Sequence, residues 1–582
     1  MARRSSDVQR ALDGGSLRFG IMCRGTVFEA WQADCVRRLL TLNQLQATLL
    51  LCTPDSGFPG GHSQRTERLP GAFLFRTYRR MLCNPAALRP VDMSDELSGV
   101  PRMACHPMSG GRGGESVGVL VDADVDAIKA HRLDFVLALG FEDVPEKILD
   151  AARYGVWVFR YGDGTRRRRM PPAFWEIFDG DPVSVATLQR LTGNPDEGII
   201  LKRGCFPTIG YSYAANLNQV LGESADWPAQ VCLGLLHGTR GTLDDPPARA
   251  TTDIGRPPGN AETVLFLARM AKNLLVETCR VLFRHEQWNV GLAGQGIDAF
   301  LVNARPDIRW LPDPGSNRFL ADPFGVSVDG CVHLYCEDYD YKSMKGKIAH
   351  LQVSGTGCIA SMEIAIDEPY HLSYPYLIRH RGELYCIPES SGSGQVVLYK
   401  ALAFPGNWEK VATLIEDFAG LDVTVFQHDG RWWMACADVT DGRCHKLFLW
   451  HAADIFGPWA PHLLNPVKLD VTCSRPGGTP FVHDGQLYRP AQDCSRTYGG
   501  RIVINRVCEL TTSGFKEEVA AVIEPDAKGP YRKGIHTISA AGHFTLVDGK
   551  RYVFSPNACL HAVGFLLRKL TGRSTRSTAT LH

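Results

Sequence analysis

Phe324–Asp338 reads FGVSVDGCVHLYCED. An apolar, β-branched run meets Asp-Gly, and a second run carrying an aromatic residue leaves it, which is the signature of a two-residue hairpin. The pattern returns four times: YLIRHRGELYCIPES (376–390), VFQHDGRWWMACAD (425–438), FVHDGQLYRPAQD (481–493) and FTLVDGKRYVFSP (544–556). The turn glycines are Gly330, Gly382, Gly430, Gly485 and Gly549, recurring at about 50 to 65 residues. A hairpin repeat of that length predicts propeller blades of about four strands each. Five blades are expected, over Trp288–Arg568.

Counting eight residues back from each turn glycine gives equivalent places near the start of the first strand of each blade. They are Asp322, Tyr374, Asp422, Gly477 and Ala541. Two carboxylates at matching places can converge across a narrow channel, as glycoside chemistry requires. The alternative is that each aspartate is local, Asp322 capping a turn before Pro323.

The N-terminal part reads differently. LRFGIMC (17–23) and QATLLLCT (46–53) are expected as buried strands around a helix near Val27–Leu42. ESVGVLVDADVDAIKAHRLDFVLALG predicts strand, helix and strand, and EKILDAARYGVWVFRYGDG a further helix and strand. Alternating units of this kind imply a parallel sheet covered by helices, with ligands at the carboxyl ends of the strands. Four consecutive arginines, Arg166–Arg169, directly follow the GVWVF strand. The expected organisation is a leader (1–16), an α/β domain (17–235), a linker with an amphipathic helix (236–287), the propeller (288–568) and a tail (569–582).

Bulk properties narrow the function classes. The 582 residues carry 63 basic and 62 acidic side chains, a formal net charge of +1, which leaves no global field for nucleic acid. The eighteen cysteines show neither CxxC pairs nor metal-like spacing, so no metal site is expected. Scattered thiols and a start without an apolar signal core predict a reduced, cytoplasmic protein. No run of about 18 apolar residues exists, so no membrane span is expected. Thr263–Glu286, TVLFLARMAKNLLVETCRVLFRHE, carries helical apolar spacing with Arg269, Lys272, Arg280 and Arg284 between, and reads as a docking helix or a membrane-surface helix.

Three resemblances add to this reading. The repeat with ADPF opening the first blade resembles the family-43 glycosidase propeller. That family uses a blade-one Asp as general base, a blade-three Asp to orient and tune, and a blade-four Glu as general acid. Asp322 and Asp422 match the first two roles, while SRPGGTPF places Gly477 or Gly478 where the acid belongs. The propeller also resembles the N-terminal domain of plant glucosamine inositolphosphorylceramide transferases. HLSYPYLIRHRGELYCIPESSGSGQVVLYKALAFPGNW (371–408) and GQLYRPAQDCSRTYGGRIVINRV (485–507) carry that match. It implies a polar pocket of His371, Tyr374, Glu389, Ser390, Arg489, Gln492, Asp493, Arg501 and His536, suited to a polyhydroxylated, anionic ligand. Pairs such as Glu389–Arg489 locking adjacent blades are the alternative.

LDFVLALGFEDVPEKILDAARYGVWVF, RRRRMPPAFWEI and VSVATLQRLTGNPDEGIIL resemble the formyltransferase family, with a Rossmann-like fold. That family stabilises an oxyanion with an Asn and a His and arranges proton transfer with an Asp. Here Val158 and Arg160 occupy the Asn and His positions, Arg168 matches the loop arginine, and Asp196 keeps the Asp. Valine donates nothing and arginine stays protonated, so the usual route through 10-formyltetrahydrofolate is not expected. Arg160, Arg166 and Arg168 are expected to grip an anion instead.

The resulting expectation is an α/β formyltransferase-like domain joined to an all-β five-bladed propeller. The protein would modify or transfer a sugar in glycan or glycolipid synthesis. Catalysis would rest on Asp322, Asp422, Glu389 and Asp493, or on Asp196 with Arg160. Its ligands would be a sugar nucleotide, a phosphosugar or a glycolipid. The rivals are a non-catalytic carbohydrate-binding scaffold and an active sugar-amine formyltransferase.

Overall fold

A computed structural model describes residues 15–554 apart from 53–71, 105–106, 110–115, 119–121, 140–143, 145, 163–170, 195–196, 240–242, 244–245, 247, 250–257, 304, 306, 329–330 and 355–357. The chain divides into two compact units, Met1–Leu274 and Leu275–His582.

In the first unit, β1 (Leu17–Cys23) is followed by helix α1 (Ala30–Leu40) and β2 (Leu45–Cys52). Next come α2 (Phe73–Met81), β3 (Arg102–Ala104), α3 (Asp122–Ala130), β4 (Phe135–Ala138) and β5 (Val156–Tyr161). β6 (Val183–Leu191), β7 (Glu197–Pro207), α4 (Tyr213–Ser224), α5 (Trp227–Leu236) and α6 (Asn260–Phe283) complete it, α6 running on into the second unit. β3, β2, β1, β4 and β5 are parallel neighbours in that order, and β6 and β7 extend the sheet antiparallel. Rings on adjacent strands bind the sheet: Phe19 stacks on Phe135 at 5.4 Å and Phe135 on Trp157 at 4.0 Å.

Three local expectations are corrected. The helix near Val27–Leu42 is shorter, because Val27–Glu29 pairs as a strand with Pro90–Asp92 before Glu29 and Gln32 form a capping box. The strand in ESVGVLVD is Ser116–Gly118, which pairs antiparallel with Pro107–Ser109 and lies off the parallel sheet. EKILDAARYG gives only one 3-10 turn, Glu146–Ile148. The Arg153 and Tyr154 amides donate to Leu133 and Asp134 carbonyls, so they are spent on the segment leading into β4 rather than on a helix.

The second unit is a propeller-like all-β fold. It contains β8 (Arg284–Ala293), then β9 (Arg318–Val328), β10 (Cys331–Asp340), β11 (Lys345–Ser354) and β12 (Ile359–Ile366). β13 (Ser373–His380), β14 (Glu383–Glu389), β15 (Val396–Ala403) and β16 (Gly406–Ile415) follow, then β17 (Gly420–His428), β18 (Arg431–Asp438) and β19 (Lys446–Ala452). β20 (Phe481–His483), β21 (Gln486–Asp493), β22 (Arg501–Leu510), β23 (Phe515–Ile523), β24 (Ile538–Ala541) and β25 (Phe544–Phe554) end the described chain. β9–β12, β13–β16 and β20–β23 are four-stranded antiparallel sheets, and β17–β19 form a further meander with Ala460–Pro461. A fourth four-stranded sheet joins the two ends of the unit: Ile308–Trp310, β8, β25 and β24.

Three hairpin turns follow the sequence reading closely. Arg381-Gly382, Asp429-Gly430 and Asp484-Gly485 hold φ of 50 and 81, 47 and 73, and 49 and 74 degrees. Both central residues are left-handed, which matches the twist of the flanking strands. The Asp329-Gly330 turn lies outside the described residues. The fifth line is a correction. Asp548-Gly549 is no turn but the middle of β25, and the hairpin falls at Gly542, between Ala541 and its partner Phe544. Gly549 faces Asn289, and a Cβ there would meet the Trp310 ring at 2.3 Å. Ala541 is therefore not the counterpart of Asp322.

Candidate active site in the propeller

The first strands of three blades carry the same deformation. Pairing slips between Ala321 and Phe324, between Ser373 and Tyr376, and between Leu421 and Thr424. In each bulge one non-glycine residue is left-handed: Asp322 at φ 53, Tyr374 at 43 and Asp422 at 50 degrees. Such strain costs on the order of 1–3 kcal/mol per residue and gathers at functional sites. In the fourth blade the counting points to Gly477, and the left-handed residue is its neighbour Gly478, at φ 129 degrees.

Gly478 settles what that position can hold. A Cβ there would fall 1.6 Å from the Ile538 carbonyl oxygen, while its amide donates to Tyr374 Oη at 2.8 Å. An acid at Gly478 is excluded, and at Gly477, the other place open to the proton donor, a Cβ would meet Ile502 at 2.8 Å and the His536 carbonyl oxygen at 3.0 Å. Gly478→Ala is expected to destabilise the protein by about 1–3 kcal/mol through overlap and strain. A shift in thermal unfolding checks this, and an unchanged midpoint would contradict it.

Asp322 and Asp422 answer to different partners. The Asp322 carboxylate accepts from Thr537 Oγ1 at 2.8 Å and lies 3.1 Å from His536 Nε2. On the other side of the ring, His536 Nδ1 lies 2.6 Å from Asp548 Oδ2, an ion-pair contact outside hydrogen-bonding angles. Asp548 also accepts the backbone amides of Asp322, His536 and Thr537 at 3.1, 2.9 and 3.0 Å. Burial works against a charged His536, but Asp548 and Asp322 outweigh it and push it up to about 10. Burial likewise opposes Asp322 ionisation, and the imidazolium wins, holding its carboxyl below the usual range. Asp422 receives Arg475 at 2.6 and 3.1 Å and Gln492 Nε2 at 2.6 Å. Arg475 in turn lies 4.9 Å over the Tyr498 ring. Asp422 thus orients Arg475 and has little acceptor capacity left for a ligand.

Two further carboxyls face this anion with the opposite character. Burial first, then Asp422 and Asp322, push Glu389 up to about 8, with Arg475 opposing. Glu337 is raised well above the carboxylate range by burial, then by Asp322 and Glu389. Beside Glu337, His371 Nδ1 accepts the Gly346 amide at 2.9 Å and its Nε2 lies 3.4 Å from Glu337 Oε1. Burial lowers His371 to about 4, so it is neutral with its proton on Nε2. One cleft therefore collects an ionised Asp322, protonated Glu389 and Glu337, Arg475 and the rings of Trp288, Phe319 and Tyr498. Asp322, His536 and Asp548 each offer a ligand atom within 4.8 Å of the others. Both His536 nitrogens already face carboxylates, however, so a cation would have to displace an ion pair.

Of the residues expected from sequence, Asp322, Glu389, His371 and His536 line the cleft. Asp422, Tyr374 and Gln492 lie behind it as supports. Three others do not line it. Arg489, 1% exposed, is spent on Glu517 at 2.6 Å and on the Cys473 and Ser474 carbonyls. Asp493 binds Arg501 at 2.8 Å, and Arg501 reaches on to Glu524 at 2.6 Å. The Asp493–Arg501 pair joins neighbouring strands, and Arg489–Glu517 reaches from β21 past β22 to β23. In the first unit, Val158 is 1% exposed in the core and Arg160 sits on β5 opposite Thr187. Arg166, Arg168 and Asp196 lie outside the described residues.

Sequence reasoning missed Glu337, Arg475, Asp548 and Tyr498. Glu337 had a signal: it stands seven residues after Gly330, as Glu389 does after Gly382 and Gln492 after Gly485. The two glutamates pair next to a bulge, Glu337 opposite Ala321 and Glu389 opposite Ser373.

Comparisons with known proteins agree with the propeller's position in the chain. Residues 313–537 match the family described as glucosamine inositolphosphorylceramide transferase 1, N-terminal. The match is confined to the propeller. Glucosamine inositolphosphorylceramide transferase 1 of Arabidopsis thaliana is 33% identical over 251 residues, 40% of this chain and 32% of that protein. Its counterpart in Oryza sativa subsp. japonica is 34% identical over 250 residues, 40% of this chain and 34% of that protein. The chain spans about a third of the length of these curated relatives. Among solved structures, a family 117 glycoside hydrolase from Zobellia galactanivorans aligns with 46% of this chain and 91% of its own, at 15% identity and a TM-score of 0.31. Glycinamide ribonucleotide transformylase 1 from Symbiobacterium toebii aligns with 39% of this chain and 88% of its own, at 14% identity and a TM-score of 0.25.

Proposed function

We propose that the propeller cleft is the active site of a sugar-transferring enzyme of glycan or glycolipid synthesis. One observation carries this reading: a carboxyl kept protonated, Glu389, and one kept ionised, Asp322, share one cleft. Environments that push two carboxyls apart assign the acid and the base. Glu389 protonates the leaving glycosidic oxygen, and Asp322 takes the proton of the attacking hydroxyl. Glu337 and His371 hold sugar hydroxyls, and Arg475 faces an anionic group such as a phosphate. The similarity to glucosamine inositolphosphorylceramide transferase 1 supports a phosphate-bearing glycolipid or sugar nucleotide as ligand.

In this reading the β17–β19 meander counts as the fifth blade. The first unit is a formyltransferase-like fold, working in the cytoplasm, that has exchanged its Asn and His for Val158 and Arg160. The rival reading is a carbohydrate-binding scaffold, favoured by the closure of the fourth-blade position at Gly478. Incubation with sugar-nucleotide donors and inositol-phosphate acceptors, read by mass spectrometry, separates the two. Turnover lost in Asp322→Asn with ligand binding retained supports the enzyme. Binding without turnover in the wild type supports the scaffold.

A further inference from the structure

Within the first unit, α2 and the first half of α6 lie side by side. Asn260 Oδ1 accepts the Leu74 amide at 2.9 Å, and the Tyr78 and Phe266 rings meet edge-on at 6.1 Å. Their inner faces are well buried, Phe75 and Phe266 both being 0% exposed. The outer faces are apolar as well. Phe73 is 58%, Met81 74%, Leu82 79%, Val264 54% and Leu265 60% exposed. Several exposed large apolar side chains on two packed helices mark an interaction surface. Along these two helical segments the basic residues are Arg76, Arg79, Arg80, Arg269 and Lys272 and the acidic one is Glu262, and the Arg269 guanidinium also lies 5.8 Å over the Phe178 ring. Glu262 is already engaged, accepting the Gly259 amide at 2.7 Å.

We infer that this face seats on an anionic bilayer surface. Phe73, Met81, Leu82, Val264 and Leu265 enter the boundary between headgroups and acyl chains, while the arginines and Lys272 reach lipid phosphates around them. Apolar insertion bordered by cations is what an interfacial helix pair requires. A folded protein partner would need carboxylates matched to each arginine, whereas an anionic leaflet supplies negative charge at every point. Long basic stems cover apolar surface and keep their charge at the headgroup level. The surface would hold the protein where a lipid-linked sugar acceptor resides, but its inference does not depend on the propeller reading.

The test is co-sedimentation of the full chain with phosphatidylcholine vesicles, with and without about 30% phosphatidylserine. Binding is expected to be about tenfold or more tighter to the anionic vesicles and to weaken with salt. Phe73→Asp with Met81→Asp is expected to abolish it, with an unchanged circular dichroism spectrum and melting curve. Arg80→Glu with Lys272→Glu, both on exposed residues, is expected to remove the preference for phosphatidylserine. Absence of wild-type binding, or equal binding by both variants, overturns the inference. So does self-association without lipid binding that Met81→Asp disperses, which would make the occupant a second copy of the chain. Lipid binding is read without turnover, so a failure here leaves the assignment of the cleft standing.

Discussion

Glu389→Gln is expected to lower sugar-transfer turnover by about 10²–10⁴-fold while leaving substrate binding and fold nearly intact. That is the range that a positioned general acid contributes. Glutamine keeps the shape and the polarity but has no proton to give. The pH profile adds a sharper signature. With Glu389 pushed up to about 8, wild-type turnover should hold through neutral pH and fall as the pH rises past that value. The variant's residual rate should lack that alkaline limb. Equal turnover in Glu389→Gln, or an unchanged limb, would remove Glu389 from the role of acid. The same carboxyl also touches stability. It retains its proton in the fold between its ordinary 4.5 and about 8, while the unfolded chain has lost it. Stability therefore declines with rising pH across that window.

The second large effect concerns Asp548. Asp548→Ala removes the acceptor of three backbone amides and one of the two carboxylates that hold His536. Truncating one partner of a buried ion pair costs about 3–5 kcal/mol. A drop in melting temperature on the order of 10 °C is expected, measured by calorimetry. Asp548→Asn, which keeps an acceptor but loses the charge, should fall between. His536 is raised from 6.5 to about 10, so its ion pairs stabilise fully below 6.5 and are lost as the pH climbs to 10. Wild-type stability should erode across that range, and the erosion should shrink in Asp548→Asn. A melting temperature unchanged in Asp548→Ala would mean that the His536 bridge carries no stability.

Much of the propeller was legible because hairpins announce themselves locally. Arg381-Gly382, Asp429-Gly430 and Asp484-Gly485 need left-handed turn residues, and the sequence supplies them beside alternating strands. The same rule misled at Asp548-Gly549. There the aspartate is needed as an internal acceptor for His536, and the glycine is needed because Trp310 lies over it. Both demands are tertiary, so no local pattern separates them from a turn. The site split along the same line. Asp322 and Asp422 emerged from counting, since equivalent bulges repeat with the blade. Arg489 looked like a ligand because nothing in sequence distinguishes an arginine in a cleft from one satisfied by Glu517 beneath a sheet. In the first unit, the helix expected in EKILDAARYG gave way to backbone bonds with Leu133 and Asp134, the residues that lead into β4 and that only the fold brings near.

The pairing of β8 with β25 carries a consequence for how the protein comes into being. Arg284 faces Phe554 and Ala293 faces Thr545, so the sheet that shuts the ring unites segments some 250 residues apart in sequence. Contacts of such separation form late and slowly, because a long loop must close before they give anything back. Asp322 belongs to one side of that seam, and His536 and Asp548 to the other. A nascent chain can fold its middle blades early and still possess no Asp322–His536–Asp548 bridge. Ring closure and assembly of the charged centre are one event, and a chain truncated before Phe544 would lose both together.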